Sequence, residues 1–278
     1  MELGMYSVEL NRPTVEELFA AMRQYGFTCT QWDFLSVCDE EMPACISSEL
    51  TARILKAAKE NGVKIVSVNG TFNMIDPDPE KRADGIRRFE ELAKHMAELE
   101  CNFVTLCTGS RSAESMWRMH PDSQSEDAWA DLLDTTKALL AIAEKYDLIL
   151  GLETEPNNAM NTPERCRALM DAFDNTPRLQ VIMDIANLFR PGMAHPENVR
   201  PVMRHAFDLL GKDVGLAHGK DVLESDGVAC TYAGNGLVDF AYFKELLSEV
   251  SYPGCLVLHG LHDEEEFPKA VGFIRGIF

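Results

Sequence analysis

Apolar runs of strand length alternate along this chain with segments of helical periodicity, and the last four runs each stop on a residue able to bind a metal. Leu148–Leu152 precedes Glu153, Leu179–Met183 precedes Asp184, Val214–Ala217 precedes His218, and Cys255–Leu258 precedes His259. The steps between these four (153 to 184, 184 to 218, 218 to 259) are 31, 34 and 41 residues, the length of one strand–helix unit. If the strands are parallel, two carboxylates and two imidazoles converge at the carboxyl end of one sheet.

The remaining segments follow the same rhythm. Met1–Ser7 reads as the first strand. Thr14 with Glu17 three residues on forms a capping box, and Gly26 stops that helix. Phe27–Phe34 is the second strand, a helix over Ser48–Asn61 closes at Gly62, and Val63–Asn69 is the third strand. Pro79 to Glu100 is a long amphipathic helix, Asn102–Cys107 the fourth strand, and Ser125–Tyr146 the next helix. Thr162-Pro163 marks a helix start, with proline at the first helical position. Further helices fit Pro196–Leu210, Asp239–Val250 and Glu265–Phe278. Eight strand–helix units with no composition break predict a single-domain (β/α)8 TIM barrel over residues 1–278. A dinucleotide-binding fold would need a Gly-x-Gly-x-x-Gly turn after the first strand, where this chain has Tyr6-Ser-Val-Glu-Leu-Asn11.

A net charge of −19 disfavours a nucleic-acid partner, because a phosphate backbone is bound by lysine and arginine. The first residues show no basic segment followed by an apolar run, and no apolar stretch approaches the roughly 20 residues of a membrane span. The eight cysteines include no Cys-x-x-Cys pair and read as reduced thiols, so a cytoplasmic location is expected.

In parallel barrels the chemistry sits on the loops after the carboxyl ends of the strands. Carboxylate oxygens with imidazole nitrogens suit Mn²⁺ or Zn²⁺, and also Co²⁺ or Fe²⁺, whereas Mg²⁺ favours more oxygen and water. Each residue also has a plainer reading. Asp184 fits a helix cap, Glu153 a partner for a neighbouring cation, and His218 a hydrogen-bonded histidine of the barrel mouth. His259 has the weakest individual case, with His262 close behind it. Their shared structural level makes the metal site the stronger reading.

Five segments carry a resemblance over essentially the whole chain. They are Gly151-Leu-Glu153-Thr-Glu-Pro, Met183-Asp184-Ile-Ala-Asn187-Leu-Phe, Gly215-Leu-Ala-His218-Gly-Lys220-Asp221, Gly234-Asn-Gly236-Leu-Val-Asp239-Phe and Tyr252-Pro-Gly254-Cys-Leu-Val-Leu-His259. The chain resembles the sugar phosphate isomerase/epimerase group of the xylose-isomerase-like barrel superfamily. In ketose 3-epimerases of that group, Glu, Asp, His and Glu bind Mn²⁺ or a similar ion, and the two glutamates move the proton. The resemblance implies ligand roles for Glu153, Asp184 and His218. It departs at His259, which stands where the second glutamate is expected, and at Asn187 and Leu216, which replace substrate-contacting histidines. Relatives are usually dimers.

The implied activity is a metal-assisted isomerase or epimerase of a sugar, sugar phosphate or polyol. Glu153 would be the base, with His259 or Glu155 returning the proton. Lys220 and Asp221 at the rim, Asn187, and Arg111 after the fourth strand are further substrate-binding candidates, with ion pairing, helix capping and surface exposure as the alternatives. Asn69 and Asn73 are weaker mouth-lining candidates, and Trp32 reads as sugar stacking or barrel packing. Two other readings are a lyase dehydrating a keto-inositol or related acid, and a catalytically inactive sugar-binding barrel. An endonuclease-IV-like repair enzyme needs several early histidines, where this chain offers Ser7, Trp32, Asp33 and Asn69.

Overall fold

In the computed structural model, which describes residues 1–278, the apolar runs become parallel strands. They are β1 (Leu3–Tyr6), β2 (Cys29–Trp32), β3 (Lys64–Asn69), β4 (Phe103–Leu106), β5 (Ile149–Glu153), β6 (Leu179–Asp184), β7 (Val214–Val222) and β9 (Leu256–Leu258). Each pairs with its neighbour in parallel, β9 lies between β7 and β1, and a β6–β7 pairing closes the ring. A short strand β8 (Cys230–Tyr232) runs antiparallel to the end of β7 outside the barrel, a hairpin that the apolar pattern does not announce. The helices α1 (Val15–Tyr25), α2 (Ser48–Asn61), α3 (Pro79–His95), α4 (Glu126–Tyr146), α5 (Pro163–Ala172), α6 (Val199–Leu210) and α7 (Phe240–Glu249) connect successive barrel strands, and α8 (Glu266–Arg275) follows the last of them. The fold is a (β/α)8 TIM barrel.

Local chemistry sets the helix ends. Thr14 Oγ1 accepts from Glu17 N–H at 3.2 Å, its hydroxyl donates to the Glu17 carboxylate, and Gly26 adopts φ 88° beyond the last turn. Thr162 caps α5 ahead of Pro163. The helix expected to reach Glu100 instead tightens into a 3₁₀ turn over Met96–Leu99, which buries both Met96 and Leu99. No helix is long and apolar enough to cross a membrane.

Two apolar layers result. Seventy buried residues form the core, mainly between the strands and the helices, including Trp32, which is fully buried and stacked on Phe19 at 5.4 Å. Trp32 is therefore packing. A smaller cluster of Cys29, Phe103, Ile182, Leu216, Cys255 and Val257 fills the barrel interior. The Phe103 ring fits because Gly151 and Gly215 carry no side chain; a Cβ there would meet it at 2.3 and 2.7 Å. This plug closes the barrel beneath the strand ends that carry the polar residues.

Candidate metal centre

Glu153 and Asp184 are the last residues of β5 and β6, and His218 lies on β7 directly beside Asp184 in the strand register. One ligand atom from each of the three lies within 4.8 Å of the others, and all three residues are buried. Asp184 Oδ1 accepts the N–H groups of Ala186 and Asn187 at 3.0 and 3.3 Å, which fixes the carboxylate. Asp184 Oδ2 and His218 Nδ1 have no hydrogen-bond partner, though both are buried. His218 Nδ1 lies 3.3 Å from Glu153 Oε1 and 3.6 Å from Asp184 Oδ2, outside hydrogen-bonding geometry. Lys220 Nζ, 3.1 Å from Asp184 Oδ2, is likewise an ion pair and directs its hydrogen bond to Asn187 Oδ1 at 2.7 Å. Buried polar atoms left without a partner are costly and call for an unseen one.

The donor set fits a divalent metal ion. His218 Nε2 donates to Gln31 Oε1 at 2.9 Å, so in the neutral ring the lone pair is on Nδ1 and faces the carboxylates. Gln31 comes from β2, 187 residues away in sequence, and sequence reading did not single it out. Asn187 Nδ2 donates to Glu153 Oε1 at 2.8 Å, and Cys107 Sγ lies 3.7 Å from Glu153 Oε2.

His259 stands apart from this cluster, and the register explains why. His218 pairs with Val257 and Gly219 with Leu258, so His259, just past β9, stands one inward-facing layer above His218, at the level of Lys220. Its Nδ1 is 2.5 Å from Glu9 Oε1, and its ring packs edge-on against His218 with centroids 5.7 Å apart. The apolar run ended on His259 as expected, but the layer of the three ligands is occupied there by Val257.

A cavity of about 330 Å³ opens above the cluster, lined among others by Glu153, Glu155, Lys220 and His259. Glu155 faces it with a carboxyl that burial, partly offset by Lys220, pushes up to about 7. Asn187 is buried between Lys220 and Glu153 and acts as their bridge rather than lining the cavity. Asp221 does not line it either: Oδ1 accepts from Val222 and Val238 N–H, Oδ2 from Gly234 and Gly236 N–H, at 2.8 to 3.0 Å. Three of these four hydrogen bonds hold the loop ahead of α7 against the end of β7, a structural role where substrate contact was expected. Arg111 is also committed elsewhere, to Ile75 O at 2.7 Å and Asp131 Oδ2 at 2.6 Å, instead of gripping an anion. Asn69 lines the cavity, whereas Asn73 donates to Ser110 O at 2.7 Å. Tyr6, Glu41, Cys107 and Trp117 line the cavity too and carried no local motif in the sequence.

The charges are coupled. Burial works against an imidazolium at His218, but Glu153 and Asp184 outweigh it and raise its pKa to about 9. Burial also opposes ionisation of Asp184, and Lys220 and His218 overcome it, holding the carboxyl far below its usual range. A metal ion must displace the His218 proton, so its affinity is expected to rise about tenfold per pH unit up to about 9. Without metal, the same raised pKa gives stability fully present below the ordinary value of 6.5 and lost as pH climbs through about 9. Calorimetric titration in two buffers of different ionisation enthalpy should find about one proton released per ion at pH 7. Release of no proton would contradict the His218 assignment.

The family model for the xylose isomerase-like TIM barrel matches residues 19–277 of the chain. The chain belongs to that family. No curated protein matches it in sequence. This xylose isomerase-like barrel is similar in structure to apo 3-keto-D-glucoside 4-epimerase from E. coli (TM-score 0.75, 19% identity, 99% of each chain covered). It is similar to a xylose isomerase-like TIM barrel protein from Mycobacterium smegmatis in complex with magnesium (0.74, 13%, 100% of this chain and 95% of that one). A third is the probable 3-DHS dehydratase AsbF from Bacillus anthracis (0.73, 13%, 99% of each). At these identities the likeness is one of fold.

Proposed function

We propose that the protein is a divalent-metal-dependent isomerase or epimerase of a sugar or polyol derivative, acting by proton abstraction beside a carbonyl. The observation that carries this reading is the pair of buried atoms without a hydrogen-bond partner, Asp184 Oδ2 and His218 Nδ1, gathered with Glu153 under a cavity. An epimerase and a magnesium-bound barrel among the similar structures support it. Glu153, Asp184 and His218 would hold the ion. When bound, it supplies Lewis-acid polarisation of the carbonyl and so acidifies the adjoining C–H.

The chain's own groups divide the remaining work. Glu153 is the base: Asn187 steadies Oε1, and Oε2 has only the weak thiol donor of Cys107 beside it. Glu155 faces the same cavity with a pKa of about 7, so at neutral pH it can either give or take a proton. On another wall Glu9 holds His259 Nδ1, which leaves Nε2 as a second proton-transfer group. Lys220 balances the carboxylates and, through Asn187, keeps Glu153 oriented.

Proton NMR in D₂O, with Mg²⁺ or Zn²⁺ and a panel of ketoses, their phosphates and inososes, tests the reading. Solvent deuterium is expected on the carbon beside the carbonyl. No exchange with any of them sinks the proposal. A dehydratase is the second reading, favoured by the partly protonated Glu155, which can protonate a departing hydroxide, and by the dehydratase among the similar folds. Growth of an ultraviolet enone band would select it.

A further inference from the structure

The walls of the cavity also bear on which substrate enters it, an inference that rests on the proposed function. We propose that the substrate is an electrically neutral polyhydroxy ketone, a free sugar or cyclitol bearing neither phosphate nor carboxylate, and that Glu41 enforces this choice.

The cavity is about 330 Å³, at the small end of the roughly 300–1,000 Å³ typical of ligand pockets and suited to a single sugar ring or chain. Its only basic lining residues are Lys220 and His259. Lys220 is committed to Asp184 and Asn187, and His259, whose Nδ1 is held by Glu9, presents a single Nε2 and not the paired donors that bind phosphate. Lys220 moreover stands beside the three candidate ligands, at the end where the reacting carbonyl would be held. A phosphate or carboxylate on the substrate would have to lie away from that end.

The other end offers an anion nothing. Glu41 lines it, in the field of Asp33 and close to Asn69. Asp33 lies behind, accepting from Tyr6 Oη at 2.5 Å and Asn69 Nδ2 at 2.7 Å. Burial, then Asp33, raise the pKa of Glu41. As a carboxylate it repels an anion, and as an acid it donates one hydrogen bond; in neither state does it supply the paired cationic donors that bind phosphate. Arg111, the arginine that sequence reasoning offered for this purpose, is held by Asp131 and Ile75 O. Hydroxyl groups are served well by the same surface. Glu41 and the hydroxyls of Thr71 and Thr105 offer donors and acceptors, and the exposed Trp117 indole adds an apolar face.

The test measures binding and turnover separately on the Mg²⁺-loaded full chain. Binding by calorimetry, with Trp117 fluorescence as a second readout, compares fructose, sorbose and an inosose with fructose 6-phosphate and 5-ketogluconate. The neutral ketones are expected to bind, and the anions to bind roughly 100-fold more weakly or not at all. Glu41→Arg should narrow that gap at least tenfold by strengthening fructose 6-phosphate. Anions binding as tightly as the neutral ketones, a gap unmoved by Glu41→Arg, or binding by neither class would each overturn the proposal. Neutral ketones that bind but show no deuterium exchange would leave the substrate class standing and overturn the isomerase reading instead.

Discussion

Asp184→Asn should purify from metal-supplemented buffer with less than about a tenth of an ion per chain, where the parent holds close to one. The asparagine keeps an oxygen for the Ala186 and Asn187 N–H groups, so the turn after β6 is retained while the charge is lost. Asp184→Ala loses both. It leaves Lys220 buried without its nearest carboxylate, and folding stability is expected to fall by about 3–5 kcal/mol. Gln31→Leu is the graded control. It removes only the acceptor that fixes the His218 tautomer, and metal affinity should fall by about 10- to 100-fold with the three donors intact. Metal content by atomic emission, with circular dichroism to verify folding, separates these outcomes. A folded Asp184→Asn protein carrying the parental metal content would rule Asp184 out as a ligand.

The legible part of this molecule is the part governed by local pattern. Apolar runs of strand length, period-3.6 hydrophobicity, the Thr14 box and the Thr162-Pro163 start are short-range signals; they placed Glu153 and Asp184 at their strand ends and His218 on its strand, although β7 runs on to Val222. His259 shows where such a signal stops. Counting residues finds the end of an apolar run, but the layer a residue occupies depends on register with its neighbours, and two positions of stagger put His259 beside Lys220. Asp221 and Arg111 diverge from expectation for another reason. Their side chains are claimed by backbone groups and a carboxylate up to 36 residues away, and no spacing rule encodes those partners. Gln31 and Glu9 are the converse case. They have ordinary sequence surroundings and reach the site only because closing a barrel brings β1 next to β9 and β2 across from β7. A closed ring therefore discloses its ligands from the strand ends and conceals the residues that orient them.

Glu153→Gln should slow deuterium exchange on the substrate by about 10²- to 10⁴-fold, measured at a metal concentration high enough to keep the site filled. Glutamine preserves length and can still meet Asn187, but it cannot take the proton, so the loss belongs to the chemical step more than to substrate binding. Glu155→Gln is expected to behave differently. If Glu155 returns the proton, that variant still takes up deuterium at the carbon Glu153 attacks while inverted product fails to accumulate. Its loss should also remove from the rate profile an ionisation near the Glu155 pKa of about 7. Exchange and inversion both persisting in Glu155→Gln would move the second proton transfer to His259, where Glu9 leaves Nε2 free of its own contact. Deuterium entering Glu153→Gln at the parental rate would remove Glu153 from the chemistry altogether, leaving it a ligand only.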